Sequence, residues 1–600
     1  MAMSDTSAKT TPAPPETRVD PITASIVQGA LENIAIEMGY KLMRMAYSSI
    51  IRESEDFGAA LCDTRGRQLC ECTKSTPLQS GPIPGYIHGI LRQIKERGED
   101  IRPGDVFIHN DAYNGASHSP DIGFCVPVFF GGELLGFSMT TAHHLDIGSC
   151  QPGSVGVVTC ADSYAEGLQF KALKVYDAGR RNDAIWQMIR DNVRVADLVV
   201  GDMEAQIAAC HVGARRLTEL VDHFGVDTLA GAVEDLFDHS EYLMRSQIQA
   251  IPDGAYAAEG HLDGFIDDPD PAVRNLPIKV TVTVSGSDLV VDLTGTADQI
   301  EGHAINMPFV GTVDVAIWLT LRSILLDSER IGKIPQNHGL YRPITIVAPK
   351  GCLANPEFPV PTIARATPGN IIADTLMKAL AQAVPHQVSA GIANLKAINF
   401  SGRENGRQWV HIEIFEGSYG GRYGKDGMDS VDTLYANTRN NPVEDIESHV
   451  PLRVNGYHLR EQACAAGKWR GGLNAIKEME FLSDGAVSVE GDGHTHSPWG
   501  FQGGHDGSTA RLELTDPDDT RTALPSMMPT RRVRKGARLT SVGGTGGGYG
   551  DPLERQPEQV ASDVCDGYLT AEMAEKAYGV VITPDNRIDR EKTDRLRSRH

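Results

Sequence analysis

Several features that would class a chain of 600 residues at a glance are scarce or missing here. Cysteine is sparse: ten residues, at 62, 70, 72, 125, 150, 160, 210, 352, 464 and 565, with no CxxC pair. That excludes a disulfide scaffold, and Cys70-Glu71-Cys72 without a second pair reads as ordinary chain rather than a zinc site. Positive charge is in the minority, with Lys and Arg at 56 against 79 Asp and Glu and a net charge of -23. An excess of acid argues against nucleic acid or an anionic membrane as partner. No apolar run approaches the ~18 residues of a membrane span. The first 20 residues lack the apolar core of a signal peptide, which predicts a cytoplasmic protein with reduced thiols. No repeat of ~20–50 residues is visible, which argues against a solenoid. There is no P-loop, no GxSxG and no HExxH, so a Walker nucleotide site, a common serine hydrolase and a zincin all lose support.

Hydrophobic residues at 41% and charged residues at 22% are ordinary globular values, and the length allows roughly three to five domains. Residues 1–20, rich in Ser, Thr, Ala and Pro, read as a disordered leader ending at Asp20-Pro21. Ile26, Ala30, Ile34, Met38, Leu42 and Met45 then recur every three or four positions, the signature of a long amphipathic helix. A strand is expected from Asp56 to Cys62, a helix from Gly85 to Gly98 and a strand at Val106-Phe107-Ile108. Phe124 to Phe130, Gly131-Gly132 and Leu134 to Thr141 read as strand, turn and returning strand. Residues 181–250 look helical throughout. From Pro252 the texture changes: Val280, Val282 and Val284 alternate with Thr281 and Thr283, a hairpin with one buried face. Helices are expected near 311–326 and 369–383, strands near 408–415 and within 475–515, and a last short helix from Thr570. The chain therefore reads as multidomain α+β, with a helical, metal-bearing front half (21–250), a strand-rich back half (251–560) carrying Gly-rich loops, and a C-terminal helix and charged tail (561–600).

The sharpest chemical cluster is His118-Ser119-Pro120-Asp121 followed by His143-His144-Leu145-Asp146. His118 and Asp121 lie on the loop entering the first strand of a hairpin, and His143 closes the second. A hairpin brings its two open ends together, so two imidazoles and a carboxylate can meet as a divalent metal requires. The same residues also suit a plainer role, with the histidines satisfied by backbone and Asp121 capping a turn. Asp56, where a polar stretch meets an apolar strand, is placed for a carboxylate beside a metal, or simply as the polar start of that strand. The glycine-rich runs 416–427 and 543–552 could cradle an anion on backbone N–H groups or be tight turns. His494-Thr495-His496 is a weaker metal candidate.

The run Asn110-Asp111-Ala112-Tyr113-Asn114-Gly115-Ala116-Ser117-His118-Ser119-Pro120-Asp121 resembles the signature of the hydantoinase B/oxoprolinase family. Ala142-His143-His144-Leu145-Asp146-Ile147-Gly148, Asp191-Asn192-Val193-Arg194, Arg470-Gly471-Gly472-Leu473, Pro498-Trp499-Gly500 and Gly547-Gly548-Tyr549-Gly550-Asp551-Pro552 support the resemblance, which spans about residues 20–582. It departs at Gly115-Ala116-Ser117, often Gly-Gly-Thr in the family, and at Asp111-Ala112-Tyr113, often Asp-Pro-Tyr. The serine keeps the hydroxyl and the missing proline relaxes a turn, so the metal reading stands while the pocket differs. The resemblance implies one divalent transition metal (Zn, Mn or Fe) on His118, Asp121 and His143, with Asp56 orienting the attacking water or taking its proton. It further implies a hydantoinase A-type ATPase partner that binds ATP and phosphorylates a hydantoin, lactam or 5-oxoproline. The chain would then be the hydrolytic subunit of a hetero-oligomer. Two alternatives stay open: a subunit of an acetone- or acetophenone-type ketone carboxylase, and a non-catalytic assembly subunit.

Overall fold

The computed structural model describes residues 14–598. Most of the expected leader, residues 1–13, lies outside the described residues, as do 599–600 of the charged tail. Asp20 caps helix α1 (Pro21–Met45) by accepting from the N–H groups of Ile22 and Thr23, with Pro21 at the first helical position where its missing N–H costs nothing. Just before it, Arg18 is tied to Asp235 and Asp238.

The front half is built on a mixed-length antiparallel sheet of seven strands: β1 (Phe57–Asp63), β2 (Gln68–Glu71), β3 (Val106–His109), β4 (Asp121–Phe130), β5 (Glu133–His143), β6 (Leu173–Asp177) and β7 (Arg180–Arg181). Their spatial order is β2-β1-β5-β4-β3-β6-β7. The short helices α2 (Ser49–Arg52) and α3 (Pro77–Ser80) flank β1 and β2, and α4 (Ile83–Arg97) follows. The stretch read as wholly helical forms α5 (Asp183–Asn192), α6 (Ala196–Phe224) and α7 (Val226–Gln249). Alternation along the strands splits the core in two. Phe57, Ala59, Leu61, Ile122, Phe124 and Val126 pack with α1 and α6 on one face. Ala60, Cys62, Cys125, Phe137 and Met139 pack with α4 on the other.

The back half holds three further sheets. Strands β8 (Gly254–Gly264), β9 (Arg274–Ser285), β10 (Asp288–Asp292) and β11 (Ile344–Val347) form the first, and the alternating valines of β9 face its core as the sequence pattern requires. The helix Ala366–Leu380 packs on β8 and β9. The remaining strands are β12 (Lys396–Glu404), β13 (Arg407–Phe415), β14 (Leu452–Leu459), β15 (Ala475–Phe481), β16 (Gly485–Gly491), β17 (Arg511–Thr515), β18 (Arg521–Leu524), β19 (Met528–Val533) and β20 (Arg538–Val542). They form two sheets, β13-β12-β16-β19 and β14-β15-β20-β17-β18. Phe400, Met479, Phe481, Val487, Leu512 and Leu539 share the core between these sheets, a sandwich arrangement. Toward the C-terminus, Thr570 caps the helix Ala571–Tyr578.

The two glycine-rich runs pack against one another rather than around a ligand. A Cβ on Gly546 would stand 2.1 Å from the Tyr419 carbonyl oxygen, and one on Gly471 would stand 2.0 Å from that of Gly546. Backbone groups at this spacing leave no room for a side chain. Their N–H groups are used internally: Gly421 donates to Gly547, Gly546 to Gly472 and Gly548 to His505.

Candidate metal centre

Three neighbouring strands end in the same row. In the register of the sheet, Asp121 at the start of β4 pairs with His143 at the end of β5. Phe57 of β1 pairs with Ala142, which sets Asp56 beside His143, and the His143 N–H donates to the Asp56 carbonyl at 3.2 Å. Residues directly opposite one another in an antiparallel pair project from the same face. Asp56, His143 and Asp121 therefore point together toward the α4 side. His144, one residue on, faces the other way, where its Nε2 meets the Gln206 side chain at 2.9 Å.

The loop before β4 returns His118 to the same point. Its Nδ1 lies 2.6 Å from the Ile363 carbonyl, which assigns the proton to Nδ1 and leaves Nε2 with a lone pair. That Nε2 sits 3.0 Å from Asp121 Oδ1 but is not aligned for an N–H···O bond. Neither ring nitrogen of buried His143 has a hydrogen-bond partner. Ligand atoms of His118, Asp121 and His143 all lie within 4.8 Å of one another, the one such group of three among the described residues. Orphaned imidazole nitrogens converging with a carboxylate fit a divalent transition metal well. The chamber is closely walled, with Asp121 0%, His118 and His143 4%, and Asp56 6% exposed.

A shell of polar side chains fixes these groups. Gln79 of α3 donates from Nε2 to Asp121 Oδ1 at 2.7 Å and to Asp56 Oδ1 at 3.1 Å, so one amide ties the two carboxylates. Ser117 and Arg365 both donate to Asp121 Oδ2 at 2.6 Å, and Arg365 also bonds the Tyr435 hydroxyl. Glu166 accepts from Ser119 at 2.9 Å and from the N–H groups of Thr362 and Ile363, which holds the carbonyl that orients His118.

Electrostatics separates the two carboxylates. Burial would raise Asp121, but the charges of His118 and Arg365 outweigh it and hold the group well below the usual range. Burial, then the charge of Asp121, pushes Asp56 up to about 7, with Gln79 opposing. Burial also lowers His143 to about 3, so its imidazole is neutral and its nitrogens are free to ligate.

The structure thus brings together all four residues singled out from the sequence. It leaves His494 and His496 outside any such cluster, and Cys70 and Cys72 are buried free thiols, Cys70 bonded to the Leu31 carbonyl. Gln79, Glu166, Ile363, Arg365 and Tyr435 carried no motif signal; only Ser117 lay within a run already marked.

The family model for hydantoinase B/oxoprolinase matches residues 20–552. The chain belongs to that family. A protein provisionally described as the B subunit of a D-/L-hydantoinase, from Pseudomonas sp. (strain NS671), is 60% identical over 581 residues, covering 97% of this chain and 98% of its own. The crystal structure of an ATP-dependent caprolactamase from Pseudomonas jessenii superposes with a TM-score of 0.85 at 26% identity, covering 97% of this chain and 100% of that one. A nucleotide-free acetone carboxylase structure gives a TM-score of 0.86 at 21% identity over 97% of this chain and 83% of that one, a shared fold. Family relatives are named as subunits of larger enzymes, so this chain has a partner subunit. No helix among the described residues is long and apolar enough to cross a membrane.

Proposed function

We propose that this chain is the metal-bearing catalytic subunit of an ATP-dependent cyclic-amide hydrolase. Its substrate would be a hydantoin, lactam or 5-oxoproline ring phosphorylated by a partner ATPase subunit. The observation that carries the reading is the convergence of His118, Asp121 and His143 beside Asp56 in one buried chamber. The 60% identical relative, described as a hydantoinase subunit, supports the substrate class. The region 21–250 would supply the ligands, and residues of 251–560, through Ile363 and Arg365, would support them.

An unactivated ring amide resists water. Phosphorylation of its carbonyl oxygen makes that oxygen a leaving group; water then adds to the carbon, phosphate departs and the ring C–N bond opens to a carboxylate and an amine or ureido nitrogen. A Zn, Mn or Fe ion held by His118, Asp121 and His143 would supply Lewis-acid stabilisation of the charge developing there. Asp121, kept ionised by His118 and Arg365, would contribute a full negative charge to the ion. The bonds to Asp56 from Gln79 and Thr76 both fall on Oδ1, which leaves Oδ2 to orient the attacking water and accept its proton.

Co-purification with the partner and parallel measurement of phosphate and product tests this. Ring opening of a hydantoin, caprolactam or 5-oxoproline with ATP and no bicarbonate is expected. Turnover only on ketones, and only with bicarbonate, would replace it with the carboxylase reading. An active preparation without metal would refute the metal assignment.

A further inference from the structure

Asp56 sits on a short turn between α2 and β1 whose backbone is under strain. Glu55 adopts φ +55°, the left-handed region that a residue other than glycine rarely occupies. The Asp56 N–H donates to Ile50 at 3.0 Å and the Phe57 N–H to Glu55 at 2.9 Å, so the carboxylate projects from a tight loop. Such a turn relaxes unless something outside it holds it.

The holder is a segment nearly four hundred residues away. Arg439 donates its backbone N–H to the Ser54 carbonyl at 3.0 Å, and its guanidinium meets Glu55 at 3.0 Å. Arg52 meets Asp445 at 2.6 Å. At the centre, the Ser54 hydroxyl donates to Asn441 Oδ1 at 3.1 Å. The Asn441 Nδ2 donates in turn to Glu413 Oε2 at 2.8 Å and to the Ile412 carbonyl at 3.3 Å. Glu413 also accepts from His411 at 2.9 Å and is ion-paired to Lys477. Ser54, Asn441, Glu413, His411 and Lys477 are all buried.

The direction of each bond in this chain is forced. Burial would raise the Glu413 carboxyl, but Lys477 outweighs it and holds the group at about 2. An ionised carboxylate only accepts, so the Asn441 amide must turn its NH₂ toward Glu413 and its oxygen toward Ser54. We propose that Asn441 is a positioning residue for Asp56, acting through the Ser54 hydroxyl and locked in orientation by the buried Lys477–Glu413 pair. This rests on the reading of Asp56 given above.

Two conservative variants test it. Ser54→Ala deletes one hydroxyl, and Glu413→Gln removes the charge that prevents the Asn441 amide from turning over. In the assembled complex each is expected to lower kcat for ring opening roughly 10- to 100-fold, with KM near wild type and metal content unchanged. In the Co²⁺-loaded chain each is expected to shift the visible absorption in the same direction as Asp56→Asn. Ser54→Thr, which keeps the hydroxyl, is expected to restore both readouts. Ser54→Ala placed on Asp56→Asn should add nothing, because both act through the same carboxylate. Wild-type kcat and spectrum in Ser54→Ala, or losses that add in the double variant, overturn the proposal. Should Glu413→Gln fail to fold, Ser54→Ala with its threonine rescue decides alone. If Asp56→Asn itself leaves both turnover and spectrum unchanged, the reading of Asp56 fails rather than that of Asn441.

Discussion

Asp56→Asn is expected to impair the enzyme and stabilise the metal-free protein, and that pairing separates an active-site carboxylate from the polar start of a strand. In the folded chain, burial and the Asp121 charge move Asp56 from its ordinary 3.8 to about 7. Its folded-state pKa is raised, so below pH ~4 both states hold the proton and the group costs nothing. As pH rises from 4 to 7 the unfolded chain ionises first, and stability falls until both states are ionised. The full difference corresponds to at most about 4 kcal/mol at pH 8, reduced by whatever water reaches the chamber. Asparagine keeps the size and the position of Oδ1 without the charge. Metal-stripped Asp56→Asn is therefore expected to melt several degrees above wild type at pH 8 and close to it at pH 4, provided the rest of the fold survives acid. Adding a divalent metal should narrow the gap, because a cation beside Asp56 stabilises its ionised form. In the assembled complex the same variant should keep consuming ATP while product falls roughly 10²-fold or more, the scale of losing a general base. Scanning calorimetry of the metal-stripped chain against pH, with paired phosphate and product assays, measures both arms. Equal melting points at pH 8 with coupled, near-normal turnover would remove Asp56 from the chemistry and return it to the strand.

Other outcomes follow from the same geometry. His143→Ala removes one of three ligands and should leave far less than one metal per chain by elemental analysis. Glu166→Gln loosens the loop whose Ile363 carbonyl orients His118, and should weaken metal affinity about 10- to 100-fold in a chelator competition while leaving the ligands intact. Gly546→Ala drives a Cβ to 2.1 Å from the Tyr419 carbonyl and is expected to cost about 3 kcal/mol or more; Gly29→Ala, with open space around it in α1, should gain about 0.5–1 kcal/mol, both read as thermal midpoints. The isolated chain is expected to show no ATP hydrolysis above background until its partner is added.

What was legible in the sequence was local. The 3.6-residue stripe from Ile26 to Met45, the Asp20-Pro21 start and the Gly131-Gly132 hairpin each depend on residues close in the chain, and each appears where the pattern places it. The hairpin alone accounts for Asp121 and His143 meeting. The supporting shell was not legible because its members come from distant segments without periodicity. Arg365 reaches Asp121 across 244 positions, and Gln79 lies in a four-residue helix whose sequence gives no hint of two carboxylate neighbours. The glycine runs show the converse: their composition suited an anion cradle, but the same lack of side chains also lets two backbones touch, and only the packing distinguishes these uses.

The choice between His143 and His144 shows how the sheet itself selects the ligands. The two are adjacent and chemically identical, and nothing in their order says which one faces a metal. The pleat decides, because consecutive side chains on a strand leave from opposite faces. Once Asp121 pairs with His143, and Phe57 with Ala142, the row Asp56–His143–Asp121 lies on the α4 face and His144 goes to the α6 side, bonded to Gln206. A slip of one residue between β4 and β5 would exchange the histidines and bury the hairpin's polar face against α1 and α6. The apolar sets on the two faces, Ile122-Phe124-Val126 on one and Cys125-Phe137-Met139 on the other, oppose that slip. The hydrophobic pattern that folds the sheet is thus the same constraint that places two carboxylates and one imidazole in a row, with His118 folded back to meet them.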